Sequence, residues 1–106
     1  MPAPMLETRS TSLQVEVGPG PGVSAYALYI DGIPATMGSS HKGEVACAGR
    51  CGDGSSHALL YSFSGAAGAT LAVAVRCGAH VVCSLQVEMV GDRGARSRAG
   101  REVFAI

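Results

Sequence analysis

The chain has 106 residues, 47% of them apolar and 15% charged, and its eight basic side chains balance eight acidic ones. That length holds one domain and is too short for two ordinary ones. A formal charge of zero excludes the basic excess of a general nucleic-acid binder, and no apolar run reaches the roughly 18–20 residues of a membrane helix.

The first seven residues, Met1 to Glu7, lack the basic segment and apolar core of a signal peptide. Residues 1–10 read as a weakly held tail and residues 11–106 as the domain. Period-two alternation then dominates the chain. Leu13, Val15 and Val17 alternate with Ser12, Gln14 and Glu16 as a half-buried strand. Gly18-Pro19-Gly20-Pro21-Gly22 breaks it, as a turn or a crossing between sheets. Ser24 to Ile30 is the next strand, with Tyr26, Leu28 and Ile30 on one face. Asp31-Gly32 is a turn signal, and Ile33 to Met37, holding Pro34, fits a short edge strand.

Residues 38–56 offer little to bury and read as a long loop, a feature that is usually functional or stapled. Further strands are expected at Ala58 to Ser64, Thr70 to Cys77, His80 or Val81 to Val90, and Glu102 to Ile106, with a polar loop from Gly91. Six or seven short strands with Gly-rich turns and no convincing helix predict an all-β fold. The expected architecture is a small antiparallel β-sandwich, immunoglobulin-like or jelly-roll. With 5% aromatic residues and no Trp, its core must rest on Val, Leu, Ile and Ala.

The hairpin of residues 70–90 permits a register argument. Leu71, Val73, Val75 and Cys77 share one parity, and Cys83, Leu85, Val87 and Met89 share theirs. A two-residue turn at Gly78-Ala79 sets apolar against polar residues and is rejected, because a one-residue slip moves every side chain to the other face. A five-residue loop sets Cys77 opposite Cys83, so these two are expected to form a disulfide. A three-residue loop sets Cys77 opposite Val81 instead.

All four cysteines and all three histidines lie between His41 and Cys83. Cys47, Cys51, Cys77 and Cys83 are candidate disulfide partners, the plain reading being a pair of disulfides, with free buried thiols as the alternative. That content suits an oxidising compartment. The rival reading is a small zinc protein with His41, Cys47, Cys51 and His57 as ligands, although their gaps of five, three and five residues are not a strong zinc signature. Zinc is the one cofactor the sequence suggests. Asp53-Gly54-Ser55-Ser56-His57 places acid, nucleophile and base side by side, but triad members normally come from separate elements, so this run reads as a polar loop. Arg93, Arg96, Arg98 and Arg101 are candidates for holding an anion or an acidic partner. No aromatic residue interleaves them, which argues against stacked bases. The leading expectation is a non-catalytic interaction module presenting residues 38–57 and 91–101 to a protein or glycan, and not an enzyme.

Overall fold

The computed structural model describes residues 10–37, 41–89 and 95–106. Among these the chain forms eight strands: β1 (Ser10–Pro19), β2 (Val23–Ile30), β3 (Ile33–Met37), β4 (Lys42–Ala48), β5 (Ser56–Ala66), β6 (Thr70–Cys77), β7 (His80–Glu88) and β8 (Ala95–Ala105). They make two antiparallel four-stranded sheets, ordered β4-β1-β6-β7 and β3-β2-β5-β8, packed as a small β-sandwich. No helix among the described residues is long and apolar enough to cross a membrane.

The alternation read from the sequence is the alternation of burial. Leu13, Val15, Leu71 and Val75 of the first sheet and Leu28, Ile30 and Leu59 of the second are fully buried where the sheets face each other. Their intervening neighbours Gln14 and Ala72 are exposed on the outer face. Removing any one of these leucines would empty space that a packed interior refills poorly, at about 2–5 kcal/mol. Of the Gly-Pro segment expected to break the chain, Gly18 and Pro19 continue β1 opposite Ala72 and Leu71. Only Gly20 to Gly22 cross: the amide of Gly20 still bonds the Thr70 carbonyl, and β2 then begins in the other sheet.

Three further differences from expectation stand out. Residues 1–9 lie outside the described residues, but Ser10, assigned to the tail, already pairs with Ala48. The expected loop of residues 38–56 contains strand β4, in which only Val45 and Cys47 are buried. Two inward residues were too few to show as a pattern, yet β1 supplies hydrogen-bond partners along seven paired positions. β8 begins at Ala95, not Glu102, because β5 extends far enough to pair with it from Ala66 to Ser56. Its first half has no apolar alternation and pairs with β5 along the backbone. On one side of the sandwich β3 and β4 meet so closely that a Cβ on Gly43 would strike the Ala35 carbonyl, which explains glycine there.

The β6–β7 hairpin corrects the predicted register. Gly78 takes a positive φ of 64° and, with Ala79, makes the two-residue turn that parity had seemed to forbid. Cys77 pairs with His80 and Arg76 with Val81, and then the register shifts so that Val75 pairs with Cys83 and Val73 with Leu85. A bulge at Val82 inserts the extra residue that returns both apolar sets to the core. Cys77 and Cys83 are therefore not opposed. Cys77 is instead bonded to Cys51, across 5.8 Å between Cα atoms, while Cys47 and Cys83 are free and buried.

This bond joins the β4–β5 loop to the end of β6 and closes 26 residues of sequence separation. By the chain-closure relation it contributes roughly 3–4 kcal/mol. Digestion after arginine without reduction should give residues 51–76 linked to residues 77–93, separating on reduction. A lone peptide of residues 77–93 carrying an internal bridge would contradict the pairing. The double variant Cys51→Ser, Cys77→Ala should lose stability of that size in urea titration.

Candidate functional site

The chemically richest region lies at one end of the second sheet. Asp31 and Gly32 form the two-residue β2–β3 turn, with φ of 52° and 83°. A turn of this kind matches the twist of its flanking strands and selects Asp-Gly. It places Asp31 beside the start of β5. The Asp31 amide bonds the Ala58 carbonyl at 2.9 Å, and Asp31 Oδ1 accepts the Ala58 amide at 3.0 Å.

That two-point grip aims Asp31 Oδ2 at His57. The distance from His57 Nδ1 is 2.6 Å, and since a carboxylate can only accept, Nδ1 carries the proton. His57 is almost wholly buried, its ring tilted 37° to Phe104 at 5.9 Å between centroids. Its other nitrogen, Nε2, lies 3.2 Å from Ser55 Oγ. Ser55 is held in turn by its carbonyl, which accepts the Ile106 amide at 3.0 Å.

Asp53 organises the loop that leads into this cluster. Its carboxylate accepts the amides of Arg50 and Ser55, each at 2.8 Å. The Ser55 hydroxyl, followed by these two amides, pulls its pKa down to about 2. Desolvation pushes the Asp31 carboxyl up, but hydrogen bonds from His57 and the Ala58 amide, with the charge of His57, outweigh it and hold the group below the usual carboxylate range. Burial, then the charges of Asp31 and Asp53, pushes the Cys47 thiol up, and burial followed by Glu102 does the same for Cys83. Both thiols stay protonated at neutral pH, which suits packing more than nucleophilic or ligand chemistry.

The proposed zinc ligands are not brought together. His41 is exposed and tilts against Tyr26 at 6.5 Å, Cys51 is consumed in the disulfide, and both nitrogens of His57 are engaged. Cys47 is buried within β4. Among the described residues no group of three or more His, Cys, Asp or Glu converges to hold a metal ion. The arginines also part company. Arg93 lies outside the described residues, and Arg96 is on β8. Arg98 donates to the Glu88 carbonyl across the seam between the sheets, and Arg101 is exposed an odd number of residues away, on the other face of the strand.

In sequence the run from Asp53 to His57 reads as a polar loop, with His57 named only as a zinc-ligand candidate. The carboxylate on Nδ1 belongs to Asp31, 26 residues earlier, and only the β2–β5 pairing reveals it. The chain matches no protein-family model, no curated protein and no solved structure.

Both aspartates have folded pKa values below their unfolded ones, so protons favour the unfolded chain. Their contribution is present above about pH 4 and is lost as pH falls toward the folded value of about 2 for Asp53. Urea midpoints measured between pH 5 and pH 2 should therefore fall steadily. Asp53→Asn should be less stable at neutral pH and show a flatter acid limb, with the share of Asp31 remaining. An unchanged acid limb would show that the Asp53 carboxylate contributes nothing to this dependence.

Proposed function

We propose that this domain is a protein-interaction module that takes an extended, acidic and apolar segment of a partner along β8. The supporting observation is one row of residues across the outer face of the second sheet. Tyr29 is paired with Leu60, and Leu60 with Arg101. In the next outward row Ala58 is paired with Val103. Leu60 is 41% exposed and Val103 54%, so two large apolar side chains on neighbouring strands meet solvent beside a guanidinium. Tyrosine and arginine are residue types enriched at interface hot spots, and the exposed aliphatic groups beside them supply apolar area to bury.

The backbone favours the same place. An edge strand presents unpaired amides and carbonyls that a further strand can satisfy. Three edges of this sandwich are poorly suited to that. β3 is only five residues long and contains Pro34, β4 lies against β3, and β7 carries the bulge. β8 runs 11 residues in unbroken register with β5 and contains no proline. Charge selects the partner. Arg101 is exposed in the same row as Leu60, so an acidic side chain on the incoming segment is favoured there. The reading keeps the interaction module expected from the sequence and moves its surface from the loops to a strand edge. A protein partner is favoured over a glycan, because Tyr29 is the one aromatic residue in the row.

A displayed library of ten-residue segments alternating Val or Ile with Asp or Glu tests it. Binders should perturb the amide resonances of β8 and weaken with salt. Arg101→Glu and Val103→Glu should each reduce affinity at least tenfold, about 1.4 kcal/mol. An empty selection, or binders indifferent to both substitutions, would overturn the reading.

A further inference from the structure

We infer that Ser55 is a reactive nucleophile, activated by His57 and positioned through Asp31, that accepts acyl groups from activated esters and phosphoryl groups from fluorophosphates. The geometry supplies the parts in order. Asp31 Oδ2 accepts the hydrogen bond from Nδ1–H at 2.6 Å, so that in the unprotonated imidazole the lone pair lies on Nε2, 3.2 Å from Ser55 Oγ. The second oxygen of Asp31 is fixed by the Ala58 amide, so the carboxylate is held in place as an orienting group. His57 is buried against Phe104, whereas Ser55 is only half-buried and open to an incoming group. The three residues come from the β2–β3 turn, the β4–β5 loop and β5, which answers the objection that a run of adjacent residues cannot converge.

The loop that carries Ser55 also forms part of the wall of a cavity. This cavity, of about 420 Å³, is lined by Cys51, Gly52, Cys77, His80, Val82 and Ile106. Ile106 forms one wall, and its amide is the group bonded to the Ser55 carbonyl. Val82 and Ile106 make part of that lining apolar, and neither Ser55 nor His57 lines it.

In the step itself, Ser55 Oγ attacks the acyl carbon while its proton passes to His57 Nε2. The bond to the alkoxy group breaks, and that group leaves with the proton from His57. Water then hydrolyses the acyl-serine by the same relay in reverse. Two features restrict the substrate. The Ser55 and Arg50 amides are committed to Asp53 and cannot serve the developing oxyanion. The Asp53 carboxylate also competes for the Ser55 hydroxyl and repels negative charge there. Esters with good leaving groups, such as aryl esters, are therefore the class that reacts.

The test uses the whole folded chain and diisopropyl fluorophosphate, with the modified residue located by mass spectrometry. Labelling forms the Oγ–P bond and expels fluoride, the serine proton going to His57. Ser55 should be labelled at least about 100-fold faster in the folded chain than in urea, the lower range of a general base's effect. His57→Gln should remove that advantage. Asp31→Asn keeps an acceptor for the Ala58 amide but should slow labelling and move the His57 proton from Nδ1 to Nε2, read by nitrogen-15 chemical shifts. Ser55 labelled no faster in the folded than in the unfolded chain would overturn the inference, and so would full labelling of a folded His57→Gln variant. The comparison with urea needs no variant to fold. Neither outcome bears on binding at β8, a separate surface.

Discussion

Each sheet has one inward face, and every strand must keep its apolar parity on that face. On this constraint the rest of the structure depends. Because side chains alternate strictly, a slip of one residue would place Leu71, Val73 and Val75 in water and Ala72 and Ala74 in the core. The chain meets local conflicts with this rule by bulging, not by slipping. The register shifts in β2–β3, β2–β5 and β6–β7 each admit an irregularity while Leu28, Ile30 and Val75 stay buried. The Val82 bulge reconciles the turn that Gly78 favours with the face that Cys83 and Val87 must occupy.

Parity governs the middle of the strands and says little about their ends, where the sheets stop and loops cross between them. There the structure relies on specific bonds. The Cys51–Cys77 disulfide attaches the β4–β5 loop to the first sheet, and the Ile106 amide and carbonyl attach the same loop to the end of the chain through Ser55 and Gly52. Asp53 closes the loop on itself. The hydrogen-bonded series Asp31–His57–Ser55 links this loop to the β2–β3 turn. A loop with so few apolar side chains cannot be ordered by burial, so covalent and polar bonds hold it. The same rigidity aligns a carboxylate, an imidazole and a hydroxyl.

The edges are handled unequally. β3 and β4 cover one another at the close approach of Gly43, but on the opposite side Arg98 reaching the Glu88 carbonyl is a thin closure. β8 is left as a long, regular edge next to exposed Leu60 and Val103. An exposed arginine such as Arg101 on this edge deters nonspecific pairing between copies and at the same time biases it toward an acidic segment.

Most of the fold was legible in the sequence, because period-two patterning over strands such as β1, β2 and β6 is a local property that burial must respect. β4 and the first half of β8 were not legible. Val45 and Cys47 are too few to make a pattern, and Ala95 to Gly100 carries none; both segments are strands because β1 and β5 offer paired backbone. His57, Ser55 and the cysteines could be picked out by residue type, but their partners could not. Asp31 meets His57, and Cys51 meets Cys77, through contacts 26 residues apart in each case. The sequence by itself determined the all-β class, the inward face of its clearly patterned strands and the Asp31-Gly32 turn, since these follow from residues adjacent in the chain. The disulfide, the histidine's carboxylate and the open edge were decided only by the tertiary structure, because each depends on which strands become neighbours, and alternation is the same whichever neighbour is chosen.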